Sequence, residues 1–356
     1  MTTSGTVGTT VIDVDTLINH AVRRAGKQTG DITYEIGLAA RNLLFFYLSN
    51  LANHGVQLWT ISREVYGLNA GKYQITLPVG TEGVLNANKR TIVPLTGTAA
   101  SSAGGTAANA FDLDVTTACI QTSADGNISL TVATSSSVSS VGIMSYGAQT
   151  LTPIIEYSTD GTTWLTAYTP TPDAGATTIA MADYEWKWWD LTNIPTGTDF
   201  RIRETGGATM SVREIVFGNT PAEVPMSRLN RDDYNNLPNK TSPATPLQYY
   251  FDRQISQPIM NLWPNPSSSF EQVVVYRHRQ IQDVGSLTNT IEVPQRWQPA
   301  IMKNLAYNLA WELPGVDPNR IQLLRVEADQ ATYEVEAEER DPSPIYLYPN
   351  IAVYTR

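Results

Sequence analysis

The feature that most restricts this chain is a hydrophobic period that changes twice. Near the start, Leu17, Ile18, Ala21, Val22 and Ala25 recur at three- and four-residue intervals. Ile36, Ala39, Ala40, Leu43, Tyr47 and Leu51 do the same further on. Such spacing gathers apolar side chains on one face of a helix. From Gln57 the period falls to two, and through residue 219 the chain is a series of short β-prone runs. Helical spacing returns at Trp297, Ile301, Leu305 and Leu309, then at Ile321, Leu324, Ala328, Ala331 and Val335. A one-sided helix must bury its stripe against another element. Helices from both chain ends are therefore expected to share one bundle, with β-structure carried between them.

Punctuation residues set the expected boundaries. Asp15 is placed to cap the first helix and Gly26 to end it. The second helix is expected from Ile32 to Asn53, with Gly55 just past its end. Leu58, Thr60 and Ser62, then Tyr73, Ile75 and Leu77, flank an Asn69-Ala70-Gly71 turn and read as a β-hairpin that Pro78 closes. Ser101–Thr106 reads as a flexible linker. Runs at Ile128–Ala133, Val138–Met144, Ile154–Tyr157, Trp186–Leu191, Phe200–Glu204 and Val212–Phe217 indicate an all-β sandwich or jelly roll. Strands follow around Leu247–Arg253, Ile259–Trp263 and Glu271–His278. A helix at Gln295–Glu312 stops at Pro314-Gly315, and Asp317-Pro318 has the order of an N-cap followed by proline at the first helical position. The tail Pro342–Arg356 is expected to be extended. The reading is an α+β multidomain protein. A discontinuous core (10–95 and 221–345) of helical bundle plus small β-subdomain surrounds a sandwich at 105–219, and 346–356 forms an extended tail.

Charge separates the same regions. The net charge is −10, and residues 96–220 hold 12 acids against 4 bases. An acidic chain lacks the basic footprint needed to grip nucleic acid by its phosphates. Cys119 is the single cysteine, so no intrachain disulfide or thiolate metal cluster can form. No basic-then-apolar leader opens the sequence, and the longest strongly apolar run, Leu43–Leu48, is far short of the ~20 residues that span a bilayer. A soluble protein made in a reducing cytosol, without membrane insertion, is expected.

Catalytic motifs are not found. His20, His54 and His278 are scattered, and no HExxH, nucleophile elbow, P-loop or dinucleotide fingerprint occurs. Neither an enzyme nor a cofactor is expected. Asp112 and Asp114 are weak candidates for a calcium site, against the alternative of loop turns in which they accept local backbone N–H bonds. Trp186 and Trp189 are candidates for sugar stacking. In a strand, Trp186 and Trp188 share one face and Trp189 and Leu191 the other, so at least one face belongs to a core.

Two resemblances sharpen these expectations. Asn109-Ala110-Phe111-Asp112 with Thr116-Thr117, Tyr157-Ser158-Thr159-Asp160-Gly161-Thr162-Thr163-Trp164, Trp189-Asp190-Leu191, Phe200-Arg201-Ile202-Arg203 and Val212-Arg213-Glu214-Ile215 make the insert resemble a discoidin-like (galactose-binding-like) sandwich. A strand entering a tight Asp160-Gly161 turn is expected to return Trp164 to the core. Leu113 stands where that family usually has glycine, and Cys119 lies near its usual tryptophan.

The flanking chain resembles a short-tailed phage head-to-tail adaptor (connector). The resemblance rests on Ala21-Val22-Arg23-Arg24-Ala25-Gly26, Leu48–Trp59, Tyr73–Gly80, Tyr249-Tyr250-Phe251-Asp252-Arg253, Leu262-Trp263-Pro264-Asn265-Pro266, Val293–Trp297 and Ser343-Pro344-Ile345. It implies a structural virion protein at the head-to-tail junction. The expected form is a homo-oligomeric ring, usually dodecameric, between the portal and the tail nozzle or tube, near any tail fibres, with DNA passing through unbound. The alternative is a carbohydrate-binding host-recognition tail component acting through the sandwich. Glu327, Asp329, Glu334, Glu336, Glu338 and Glu339 are candidate channel-lining residues, since a repeated acidic face repels DNA phosphates; the alternative is a solvated helix face. Tyr346, Tyr348 and Tyr354 are candidates for docking the tail onto a neighbour by strand addition.

Overall fold

The structure is a computed structural model that describes residues 12–27, 33–51, 58–172, 176–219, 223–255 and 257–339. The chain divides into two compact units, 1–61 with 279–356 and 62–278. Its described α-helices are α1 (Val14–Ala25), α2 (Tyr34–Leu51), the short α3 (Arg231–Asn235), α4 (Gln298–Glu312) and α5 (Pro318–Glu338). None is long and apolar enough to cross a membrane.

The first unit joins the two ends of the chain. α4 lies among α1, α2 and α5, and the apolar stripes meet around it. Leu17, Ile18, Ala21 and Val22 of α1, Leu44, Leu48 and Leu51 of α2, and Ile301, Leu305 and Leu309 of α4 form one core with Leu324 of α5. Trp297 is fully buried there, with the Trp59 ring edge-on at 4.9 Å. The cap of α1 is Asp13, whose carboxylate accepts from the Thr16 amide at 2.8 Å. This corrects the expectation of Asp15. Asp13 holds the extended backbone that a cap requires, while Asp15 is already in the first turn, where its charge complements the helix N-terminus. At α5 the Asp317 carboxylate does accept from the Asn319 amide, at 3.0 Å.

The second unit contains a β-subdomain and the sandwich. Gln74–Thr76 pairs with Ile259–Trp263, whereas Ile61–Gly67 borders Glu271–Arg279 in a different sheet. The expected hairpin is therefore two strands that part after the Asn69–Gly71 turn. Between these sheets lies a core that includes Leu77, Val84, Phe251, Leu262, Val273 and Val275.

The sandwich packs two sheets face to face. One has the order Leu165–Tyr168, Pro153–Ser158, Thr196–Glu204, Asn127–Ser137, Thr98–Ser101. The other has the order Trp186–Asp190, Ser140–Ser145, Ser211–Asn219, Val93–Pro94, with Cys119–Ile120 also pairing Ser211–Asn219. Ile128, Leu130, Val141, Ile143, Phe200, Ile202, Ile215 and Phe217 fill the interior. The linker expected at Ser101–Thr106 is part of this body. Thr98–Ser101 is an edge strand, and Val93–Pro94 already joins the second sheet. Ser, Ala and Thr there supply little apolar signal because an edge strand needs little.

Candidate functional site

The tryptophans sit where strand alternation places them, yet neither Trp186 nor Trp188 is open to a sugar ring. They lie on the outer face of the second sheet, 7% and 8% exposed, stacked with centroids 4.8 Å apart. The β-subdomain covers that face. Phe270 meets Trp186 edge-on at 6.0 Å, and a Cβ on Gly67 would come within 2.5 Å of the Trp186 Cβ. Glycine at 67 is what lets the two layers approach this closely. Trp189 points the other way and packs against the sandwich interior. The sugar-stacking assignment of Trp186 and Trp189 is corrected on these grounds. Trp164 also departs from expectation: it is partly exposed beneath the Arg201 guanidinium, 3.9 Å from its ring centroid, outside the core.

An ion-pair cluster fastens the same junction. Asp190 of the sandwich accepts from Arg63 at 2.7 Å and from Arg90 at 2.6 and 3.1 Å. Glu223 accepts from Arg63 at 3.0 Å and from Asn88 at 2.8 Å. Arg90 is almost wholly buried and also donates to Gln272 at 2.5 Å. The sandwich is thus joined to the β-subdomain through charge as well as aromatic packing.

Asp112 and Asp114 behave as turn residues. Asp112 accepts from the Asp114 amide at 2.9 Å and from the Thr117 hydroxyl at 2.9 Å; Asp114 accepts from the Thr116 amide and hydroxyl at 2.9 and 2.7 Å. Glu214 is fully buried beside them, close to the Asp112 carboxyl and the Asp114 backbone. Burial first, and then Asp112, push its pKa up to about 9. Glu214 is consequently protonated near neutral pH, which lets it stay buried without a counter-ion. Among the described residues no three His, Cys, Asp or Glu side chains are arranged to hold a metal ion. The donors do not fit the calcium assignment.

A polar aromatic cluster that sequence reasoning missed lies at one end of the sandwich. The Arg213 guanidinium sits 4.7 Å from the Tyr146 ring centroid and 3.6 Å from that of Tyr184. It donates to Asp183 at 3.2 Å and to the Val115 carbonyl at 3.2 Å. Both tyrosines remain exposed, and Tyr184 holds a left-handed φ of 60°. The three aromatic and charged residues come from separate loops and strands, so no local motif signals them.

The acidic helix divides. Glu327 is paired with Arg24, and Glu339 is buried against Arg296, so Glu339 cannot line a channel as a free charge. Asp329, Glu334 and Glu338 are exposed, while Glu336 is partly buried. Tyr346, Tyr348 and Tyr354 lie outside the described residues.

The same helical unit leaves large apolar side chains in water. Tyr34, Leu38, Phe45 and Phe46 of α2, Trp311 of α4, and Leu323, Val326 and Tyr333 of α5 are all exposed, Phe46 at 63% and Tyr333 at 67%. A sequence signal existed. Six consecutive apolar residues, Leu43–Leu48, cannot all fall on one helix face, so some had to point outward. Exposed apolar side chains in this number on the helices of one unit point to an interaction surface.

No protein-family model matches the chain, and no curated protein matches it. Solved structures to which it is similar include a chitosan-binding module from a chitosanase/glucanase of Paenibacillus sp. IK-5, at 23% identity over 36% of this chain and 97% of that one, with a TM-score of 0.29. Another is a family 32 carbohydrate-binding module of C. perfringens in complex with galactose, at 16% identity over 36% of this chain and 99% of that one, TM-score 0.30. A pectin-binding module is similar at 19% identity over 36% and 95%, TM-score 0.31. The assignment of a two-sheet sandwich rests on the strand pairings themselves.

Proposed function

We propose that this chain is a non-enzymatic subunit of a ring-shaped phage head-to-tail adaptor, acting at the junction of portal and tail tube or nozzle in the virion. The observation that carries the reading is the exposed apolar surface of the helical unit built from both chain ends. A unit with Tyr34, Phe46, Trp311, Leu323, Val326 and Tyr333 in water is made to be covered by other protein. The order of motifs along the chain supports the adaptor class in particular. DNA is conducted without being gripped, and the exposed Glu334 and Glu338 are the acids of the helix that remain available to face it, Asp329 being paired with Arg325. The sandwich, clamped to the β-subdomain, is carried as a fixed attachment. The test is electron microscopy of phage particles and of purified chain mixed with portal protein. Ring density between portal and tail supports the proposal, and a chain located elsewhere in the particle overturns it.

A second reading is carbohydrate recognition by the sandwich. It draws on the Tyr146–Arg213–Tyr184 cluster with the exposed Asp183, which offers aromatic faces beside hydrogen-bonding groups. Glycan-array binding that is lost in Tyr184→Ala and kept in Trp189→Phe would favour it.

A further inference from the structure

We infer that α5 of one copy packs along α2 of the next, and that this helix pair is the contact joining copies head to tail; the inference rests on the ring reading. The argument begins with spacing. On α5 the exposed residues Leu323, Val326, Gln330, Tyr333 and Ala337 follow one another at intervals of three, four, three and four. On α2, Tyr34, Leu38, Arg41 and Phe45 follow at four, three and four. Alternation of three and four is the heptad seam of two helices that interlock side by side. Neither seam is the one used inside the molecule, where α2 buries Ala40, Leu44, Leu48 and Leu51, and α5 buries Leu324, Ala328 and Ala331. Each copy therefore carries two unused seams of matching repeat.

Two further observations point to a helix as the occupant of the α2 seam. Gly37 lies in this face, between Tyr34 and Leu38, and a Cβ built on it meets nothing within 4 Å. Internal packing gives no reason for glycine there, although glycine weakens a helix. A second helix backbone approaching that spot gives one. Tyr34, Gly37, Leu38 and Arg41 also line a cleft of about 290 Å³ against Asp15 and Ile18 of α1. Charge agrees with a second copy as the partner. Among the described residues Arg41 has no ion-pair partner, while α5 presents Glu334 beside its seam, and Asp329 there is paired with Arg325 of its own helix. Because the two seams differ, pairing one with the other repeats in one direction and closes as a ring when the rotation allows.

Cysteine pairing tests this in the full-length chain, whose native Cys119 is buried and whose thiol is pushed up by that burial. The double variant Leu38→Cys/Val326→Cys, treated with a short bis-maleimide, should give a ladder of covalent oligomers, and each single variant should give none. Dimers from Val326→Cys alone would mean α5 pairs with α5 and would overturn the inference. Oligomers by light scattering without a ladder would overturn the pairing while leaving the ring reading in place. A monomer that yields no ladder overturns the pairing too, with the ring reading then judged separately from particle images. Gly37→Ala supplies a readout that misfolding cannot mimic: the unfolding temperature should rise while assembly weakens several-fold. A variant that melts higher and assembles as well as the parent counts against the seam.

Discussion

The outer sheet face of the sandwich and the outer faces of α2 and α5 are both rich in large apolar side chains, and they have opposite fates. Trp186 and Trp188 are covered within the same chain by Gly67 and Phe270. Among the described residues nothing of the kind covers Phe46, Val326 and Tyr333, which are more than 60% exposed. Aromatic content thus identifies surface that must be buried, and the difference lies in whether the chain itself supplies the second layer. The largest test of the contrast is Trp188→Ala. Emptying a packed site of that size should destabilise the protein by about 3–5 kcal/mol. Denaturant unfolding followed by fluorescence would measure it, and a loss below ~1 kcal/mol would mean that the covered face is not a core.

The charge cluster at that junction should follow. Asp190→Ala leaves the buried Arg90, among the described residues, with Gln272 as its hydrogen-bond acceptor and the Glu223 charge nearby, and removes one of two acids from Arg63. Breaking a buried pair from one side costs about 3–5 kcal/mol, and the partial exposure of Asp190 places the expectation near the lower end. The pH dependence has a definite sign. Burial works to raise the Asp190 pKa, but hydrogen bonds from Arg90 and Arg63 outweigh it and hold the carboxyl below its ordinary value. Its contribution is present above about pH 4 and is lost as pH falls through the depressed folded value. Acid unfolding should accordingly begin at higher pH in a variant where Arg63 is replaced by Met.

Glu214 should act in the opposite direction. Folding raises its pKa from an ordinary 4.5 to about 9. The protonated form therefore contributes stability that is complete below pH 4.5 and is lost as pH rises toward 9, at up to about 1.4 kcal/mol per pH unit. Of the facing groups, Asp112 works the same way through its hydrogen bond and its charge, as does the Asp114 charge, while a backbone hydrogen bond from Asp114 opposes them. Melting temperature should fall between pH 5 and 8 in the parent and less so in Glu214→Gln. Calcium should leave both curves unmoved; a rise with calcium in the parent alone would show the three carboxyls acting as a cation site.

The covered and uncovered faces were unequally legible in the sequence. Periodicity located the stripes that α1, α4 and α5 bury, because helix amphipathicity is a local property; on α2 it found Ala40 and Leu51 but passed over the buried Leu44 and Leu48, since the apolar run there blurs the period. Alternation likewise separated Trp186 and Trp188 from Trp189. What covers each face is non-local: Phe270, in the bend before Glu271–Arg279, and Gly67, at the end of Ile61–Gly67, are far from Trp186 along the chain, and nothing near Trp186 in sequence announces them. The ion cluster at Asp190 and the pairing of Arg213 with Tyr146 and Tyr184 were hidden for the same reason. Glu214 looked like one more strand carboxylate, since burial of a charge-bearing residue breaks the pattern from which burial is inferred. Phe45 and Phe46 were legible in principle, because a continuous apolar run exceeds what one helix face can hide.

The smallest expected effect is the most informative about the uncovered faces. Phe46→Ser removes an aromatic ring that is 63% exposed and lies 5.7 Å from the neighbouring Phe45 ring. Exposed substitutions of this kind change stability by about 0.5 kcal/mol or less. Chemical denaturation of the dilute protein should therefore barely distinguish the variant from the parent. At concentrations where the parent associates, the variant should associate less, since the ring is part of the apolar area that association removes from water. The same substitution at a covered position would reverse that order, with a large stability loss and no specific effect on association. Light scattering and denaturation on the same two samples would show which description applies, because only a surface awaiting another protein lets the two measurements part.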